Sequence, residues 1–71
     1  MAFDYSKLRG KIREKFSTQE NFAASIGLSC VSISAKLNNK VEFTQEEIHK
    51  SCDVLGISLN DIAEYFFCPK N

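Results

Sequence analysis

The sequence lacks long apolar segments, strand-like alternation, internal repeats and linkers. Because no run of about 18 apolar residues occurs, no membrane-spanning helix is expected. The N-terminus, MAFDYSKLRGK, has no apolar stretch of the signal-peptide type, so we expect the chain to stay in the cytoplasm of the cell that makes it. These absences favour a single domain spanning residues 1–71.

The cysteines and the histidine also lack the spacing that metal sites need. Cys30, Cys52 and Cys68 form no C-x-x-C pair, and His49 is the only histidine, so no metal site is expected. An odd number of thiols fits a reducing compartment, with Cys52 as a small core residue. No motif places a nucleophile beside His49, and so short a chain has no room for a deep pocket. We therefore expect no enzyme activity, cofactor or small-molecule substrate.

The charges balance overall but are unevenly distributed. Residues 1–40 hold seven Lys and Arg against three Asp and Glu, a net charge of +4. Residues 41–71 hold two against six, a net charge of −4. This asymmetry suggests one surface for phosphate and another that faces away from it or meets a basic partner. Taken alone, the charges are equally consistent with a solvated polar surface that binds nothing.

Apolar residues recur at spacings of three and four, which predicts amphipathic helices. The helix ends are marked by a capping box, Thr44-Gln45-Glu46-Glu47, and by Gly27 and Gly56, which suit left-handed C-terminal positions. Gly10, inside the first helix, costs about 1 kcal/mol relative to Ala, which is tolerable if a neighbouring helix packs closely there. The predicted helices are 4–16, 18–26, 29–38, 44–55 and 58–67.

The predicted core uses the apolar face of each helix. Its members are Tyr5, Leu8, Ile12, Phe16, Phe22, Ala23, Ile26, Ile33, Leu37, Ile48, Cys52, Leu55, Leu59, Ile62, Ala63 and Phe66. Tyr65 and Phe67 flank Phe66, and successive helical residues differ by about 100°, so all three cannot face one core. We expect Phe66 to complete the core and Tyr65 or Phe67 to contact a partner, in a homodimer or a heteromer. The sequence thus predicts a compact all-α bundle of five short helices.

Residues 19–33 have the spacing of a helix-turn-helix. Ala23 is small where the next helix crosses it, Gly27 reverses the chain, and Ile33 fills the angle between the helices. The residues in this register are Gln19, Phe22, Ala23, Ile26, Gly27, Leu28, Ser29 and Ile33. The stretch resembles the helix-turn-helix family of Cro and C-type phage repressors, over residues 5–66 including LGISLNDI. The ends, MAFDYSKLRGKI and AEYFF, resemble small Cro-like proteins and modulators of repression from phages of Gram-positive bacteria.

This resemblance implies a lambda-repressor-like DNA-binding domain whose third helix, beginning at Ser29, enters the major groove. The positions that it matches to phosphate contacts are Gln19, Ser29, Asn38 and Lys40, the first at a helix N-terminus whose dipole favours anions. Lys36 joins them because it lies beside the recognition helix. The positions that it matches to base edges are Cys30, Val31 and Ala35.

A helical wheel gives an independent view of the third helix. With Ile33 and Leu37 inward, Cys30 falls near the buried side, and only its place at the helix tip would expose it. We favour the outward residues, which are Val31, Ser32, Ala35 and Asn38. Apolar side chains can pack on thymine methyls, and Ser32 or Ser34 can contact base edges. None forms the bidentate Arg–guanine or Gln–adenine pair, so direct readout of bases should be shallow.

Two functions stay open at this point. The leading hypothesis is a Cro-like regulator, acting in a bacterial host cell, that binds double-stranded operator DNA and controls a lysis–lysogeny switch. The alternative is a modulator of repression, or antirepressor, that binds the cognate phage repressor with or without DNA. The neutral net charge, the apolar recognition helix and the acidic C-terminal half favour this alternative.

Overall fold

The part of the chain that the structure describes contains five α-helices and one 3₁₀ turn. The computed structural model describes residues 2–70, so Met1 and Asn71 of the predicted domain lie outside the described residues. In chain order the helices are α1 (Ser6–Phe16), α2 (Gln19–Ser25), α3 (Cys30–Leu37), α4 (Gln45–Leu55) and α5 (Ile62–Phe66), with the 3₁₀ turn at Leu59–Asp61. The predicted all-α bundle of five short helices is confirmed.

Side-chain caps fix the starts of the middle helices. The Thr18 hydroxyl accepts a hydrogen bond from the third backbone N–H of its helix, and the Ser29 hydroxyl does the same for α3. At α4 the predicted capping box is complete: Thr44 Oγ1 accepts from the Glu47 N–H at 3.1 Å, and Glu47 Oε1 accepts from the Thr44 N–H at 2.9 Å. Each cap contributes about 1 kcal/mol, which matters for helices of only two or three turns.

The core follows most of the predicted apolar faces. The buried apolar side chains are Tyr5, Leu8, Ile12, Phe22, Ala23, Ile26, Ile33, Leu37, Cys52, Leu55, Ile57 and Phe66. The predictions for Leu59 and Ala63 are wrong, since Leu59 is 66% exposed and Ala63 is also exposed. The last predicted helix begins instead as a 3₁₀ turn, whose three-residue period rotates the faces, and Ile57 fills the core in their place.

The two ends of the chain meet beside the turn that follows α3. Phe3 and Pro69 form an isolated antiparallel bridge, and the Asp4 N–H donates to the Cys68 carbonyl at 2.7 Å. Asn39, whose φ of 63° is left-handed, accepts from the Phe3 N–H at 2.8 Å and donates to the Phe3 carbonyl at 2.9 Å. The terminal segments thereby fix the chain just beyond α3.

None of the helices within residues 2–70 is long and apolar enough to cross a membrane.

Gly10 lies on the solvent side of α1 instead of under a neighbouring helix. The residue is exposed, and a Cβ added there would meet no atom within 4 Å. The condition of close packing by a neighbouring helix is therefore not met among the residues that the structure describes. Glycine gives the unfolded chain extra backbone freedom, and losing that freedom on folding costs free energy. No packing contact in the folded chain offsets this cost.

Replacing Gly10 by alanine should therefore stabilise the fold. We expect Gly10→Ala to raise the free energy of unfolding by about 0.5–1 kcal/mol in urea denaturation, because alanine restricts the unfolded chain and fits the helix. Gly56→Ala is the control, since Gly56 has a φ of 69° and a side chain there is strained. That variant should lose about 1 kcal/mol. Equal changes in the two variants would contradict this account.

Candidate functional site

The turn between α2 and α3 holds the two helices at a fixed angle. Gly27 adopts a φ of 76°, and the Leu28 N–H donates to the Ala23 carbonyl at 2.9 Å. Ile33 and Leu37 are buried on the inner side of α3. One side of α3 therefore belongs to the core, and the opposite side is left to solvent.

The outward side of α3 forms a shallow depression of about 510 Å³, which we call the α3 face. Its lining residues are Cys30, Val31, Ser34, Ala35, Asn38 and Lys40. Val31 is 80% exposed, the highest value among the exposed large apolar side chains. Four of the five residues predicted at base edges thus come together here, on a surface with an apolar centre and a single cation, Lys40.

Ser32 is the exception among the predicted base-facing residues. It is half-buried and lies outside the α3 face, because its hydroxyl accepts a hydrogen bond from Ser29 Oγ at 3.1 Å and its N–H donates to the same oxygen. Cys30, by contrast, is exposed and lines the depression. Cys30 is thus more exposed than Ser32, opposite to the order that the wheel gave, while base contacts of either residue stay predictions. A wheel ignores the cap, which draws Ser32 toward Ser29, and the helix tip, where no preceding turn covers Cys30.

The residues predicted at phosphate take several different positions. Ser29 and Lys40 are exposed, and Gln19 is half-buried at the start of α2. Asn38 is exposed and accepts a hydrogen bond from Arg9 Nη2 at 3.1 Å. These side chains can reach a macromolecule placed against α3, so their predicted phosphate contacts stay predictions.

Lys36 cannot contact phosphate in this structure, and that prediction is corrected. It is only 7% exposed, its Nζ lies 2.9 Å from Glu47 Oε1, and it donates to the Glu42 carbonyl at 3.1 Å. On α3 it stands about 60° from Ile33, on the inward arc. The place of Lys36 in the sequence of the recognition helix suggested a ligand contact, but its side chain points into the bundle.

The Lys36–Glu47 pair ties α3 to α4. Desolvation raises the pKa of the Glu47 carboxyl, but the Thr44 N–H and the Lys36 ammonium more than offset it and hold the pKa below its ordinary value of 4.5. Both side chains are more than four-fifths buried, so the pair is only weakly screened by solvent.

The predicted protein-contact residues lie away from the α3 face. Tyr65 is half-buried, with the Lys7 Nζ 5.8 Å from its ring centroid. Phe67 is 48% exposed and packs edge-on against Phe3, with ring centroids 5.7 Å apart. Phe66 is buried, as predicted. Part of Phe67 is thus available to a partner, and Tyr65 is mostly used within the chain.

Sequence reasoning missed a second depression, the α1–α2 cleft. Its volume is about 390 Å³, and its lining residues are Arg9, Ile12, Arg13, Ser17, Thr18, Gln19, Glu20 and Cys30. Cys30 lines both depressions, so the cleft and the α3 face adjoin. The signal was present in the four-residue spacing of Arg9 and Arg13, which puts both on one side of α1.

Within residues 2–70, no group of three His, Cys, Asp or Glu side chains is arranged to hold a metal ion.

Comparison with known proteins assigns the family. A family described as a protein of unknown function, DUF739, matches residues 1–69. The chain belongs to this family. The solution structure of the modulator of repression of the temperate bacteriophage TP901-1, from Lactococcus lactis, is 51% identical in sequence, with a TM-score of 0.82. The match covers 94% of this chain and 90% of the phage protein. No curated protein sequence is significantly similar.

The comparisons bear on only part of the expected resemblance. The chain is similar to a phage modulator of repression, as the two ends of its sequence suggested. Neither finding refers to Cro or C-type repressors, so membership of that wider family and DNA binding stay predictions. The alternative function is therefore better supported than the leading hypothesis.

Removing the Glu47 carboxylate should destabilise the chain in a pH-dependent way. We expect Glu47→Gln to lower the free energy of unfolding at pH 7 by about 1.5–3 kcal/mol, the range for hydrogen bonds to charged groups. Because the folded-state pKa is depressed, this stabilisation is present above pH 4.5 and is lost as the pH falls through the lower folded value. The difference between the two proteins should therefore shrink at pH 3.

The neighbouring residue supplies the control for that experiment. Glu46 pairs with Lys50 at 3.1 Å, but its side chain is 77% exposed, so Glu46→Gln should change stability little at either pH. Urea denaturation at both pH values measures each variant. A Glu47→Gln protein as stable as wild type at pH 7 would refute the stabilising role of the pair.

Proposed function

We propose that the chain is a modulator of repression that binds a lysogenic phage repressor protein and changes its hold on operator DNA. The observation that carries the proposal is the 51% identity, over 94% of the chain, to the modulator of repression of phage TP901-1. At this identity and coverage, the two chains are expected to share their principal surfaces. The place of action would be the cytoplasm of a bacterial host.

The α3 face is the contact surface that its chemistry supports best. Val31 stands nearly free at its centre, with Ala35 and Cys30 beside it, and such exposed apolar groups suit a protein partner. Asn38 and Lys40 are the only side chains of its lining that could pair bidentately with a base, and Asn38 already accepts a hydrogen bond from Arg9. Removing Val31 and its neighbours from water in a protein interface would stabilise the complex without any base contact.

Operator DNA binding is the second candidate, with or without the repressor. The exposed Ser29, Asn38 and Lys40 surround the same face and could hold phosphates, while Val31 could contact thymine methyls. A homodimer through Phe67 would place two copies on a palindromic site. These steps depend on the resemblance to Cro-like proteins alone, so this candidate ranks second.

A gel-shift experiment separates the two candidates. The purified chain is mixed with an operator duplex, alone and together with the repressor encoded in the same phage genome. A shift or release that requires the repressor supports the modulator function, whereas a sequence-specific shift by the chain alone supports direct DNA binding. Absence of any complex between chain and repressor, in gel shift and in calorimetry, would refute the proposal.

A charge placed at the centre of the α3 face should weaken the complex with the repressor. We expect Val31→Glu to weaken repressor binding by about tenfold or more, because a carboxylate would be buried against an apolar partner surface. Leu59→Glu is the matched control: Leu59 is also a large exposed apolar residue, but it lies in the 3₁₀ turn. Calorimetry measures binding, and thermal unfolding checks that both variants fold. Equal effects of the two substitutions would remove the α3 face from the interface.

Cysteine alkylation offers a readout that needs no substitution. Cys30 is exposed on the α3 face, whereas Cys68 lies near the C-terminus and is half-buried. Repressor binding should slow the reaction of Cys30 with iodoacetamide by about fivefold or more if the face is covered, while Cys68 should react as before. Mass spectrometry of the digested chain measures both rates, and unprotected Cys30 in a saturated complex would contradict the assignment.

A further inference from the structure

The α1–α2 cleft holds two guanidinium groups that lack a carboxylate partner. Among residues 2–70, neither Arg9 nor Arg13 forms an ion pair; Lys7, Lys11, Lys36 and Lys50 each form one, and Lys15 and Lys40 also form none. Arg9 and Arg13 are one helical turn apart on α1, with Cβ atoms about 6 Å from each other. Such a spacing lets one anionic group lie between the two side chains.

The Arg9 guanidinium is already held in place. Its Nη2 donates to the Leu37 carbonyl at 3.2 Å and to Asn38 Oδ1 at 3.1 Å, so α3 itself fixes the group. The hydrogens on Nε and Nη1 have no acceptor within residues 2–70 and can donate to an incoming carboxylate. Because the side chain is immobilised before binding, little rotamer entropy is lost on contact.

The cleft and the α3 face form one continuous surface. Cys30 lines both, so a partner seated over Val31 extends naturally to Arg9 and Arg13. Gln19 adds a neutral hydrogen-bonding side chain, and Glu20 is the only anion in the lining. Two cations against one anion leave the cleft with a net positive charge beside an apolar face.

We propose that this cleft binds an acidic side chain of the repressor, an Asp or Glu that lies next to the apolar residues contacting Val31. The inference rests on the proposed function and adds the chemistry of its recognition. An apolar contact contributes affinity but does not fix an orientation, whereas a carboxylate that binds the fixed Arg9 guanidinium and the nearby Arg13 side chain sets the orientation of the partner. A partner with a neutral or basic residue at this place would leave the arginines unpaired and bind less well.

Charge reversal of Arg13, with Lys15 as the matched control, tests the proposal. Both residues are exposed in the last turn of α1, and neither forms an ion pair within residues 2–70, but only Arg13 lines the cleft. Arg13→Glu and Lys15→Glu therefore change net charge and helix-dipole interactions alike. We expect Arg13→Glu to weaken binding of the full-length repressor by about tenfold or more, and Lys15→Glu by about threefold or less.

The outcomes separate this inference from the function on which it rests. If the wild-type chain does not bind the repressor, the proposed function fails and the inference fails with it. If the wild type binds and the two variants weaken binding equally, only long-range charge matters, and the cleft assignment alone is overturned. If Arg13→Glu instead weakens binding of the chain alone to a random DNA duplex and leaves repressor binding intact, the cleft is a phosphate site and the inference is wrong.

Discussion

The reversal of the chain at Gly27 is the constraint on which the candidate site depends. A left-handed residue there lets the Leu28 N–H reach back to the Ala23 carbonyl, so α3 begins only a few residues after α2 ends. With so short a connection, Ile33 must pack into the angle between the helices, and Val31 is left facing away from it. The exposed apolar centre of the α3 face is therefore a consequence of how the turn is built.

Polar contacts at the other end of α3 complete the fixation. Arg9 holds the last carbonyl of the helix from α1, Lys36 reaches Glu47 on α4, and Asn39 holds the backbone of Phe3 with two hydrogen bonds. Each contact comes from a different part of the chain. A surface held at both ends keeps its shape on binding, so a partner need not supply the free energy for ordering it. This rigidity suits a small protein that must recognise another macromolecule with few residues.

A structural feature can be predicted from the sequence when the residues that determine it lie close together along the chain. Caps such as Thr44 with Glu47, and the left-handed Gly27, are determined within four residues, and they were predicted correctly. Lys36 was misplaced because the carboxylate that draws it inward lies on another helix. The surroundings of Gly10 could not be predicted, because exposure depends on the global arrangement of the helices. The α1–α2 cleft needed tertiary structure, since its arginines and Cys30 come from separate helices.

The fold accounts for part of the uneven distribution of charge along the sequence. Two ion pairs, Lys7–Glu64 and Lys36–Glu47, join the basic half of the sequence to the acidic half. When these four residues are left out of the sum, the net charges of the two halves are +2 and −2 instead of +4 and −4. Half of the segregated charge is thus paired within the bundle, but only the Lys36–Glu47 pair is buried, while Lys7 and Glu64 stay about half exposed. A DNA duplex presents a phosphate about every 1.7 Å along its axis, so the affinity of a protein for it increases with the number of cations that contact it. A protein partner needs only one or two well-placed charges beside an apolar contact. Arg9 and Arg13 share one cleft that adjoins the α3 face, and this arrangement matches the second requirement better than the first.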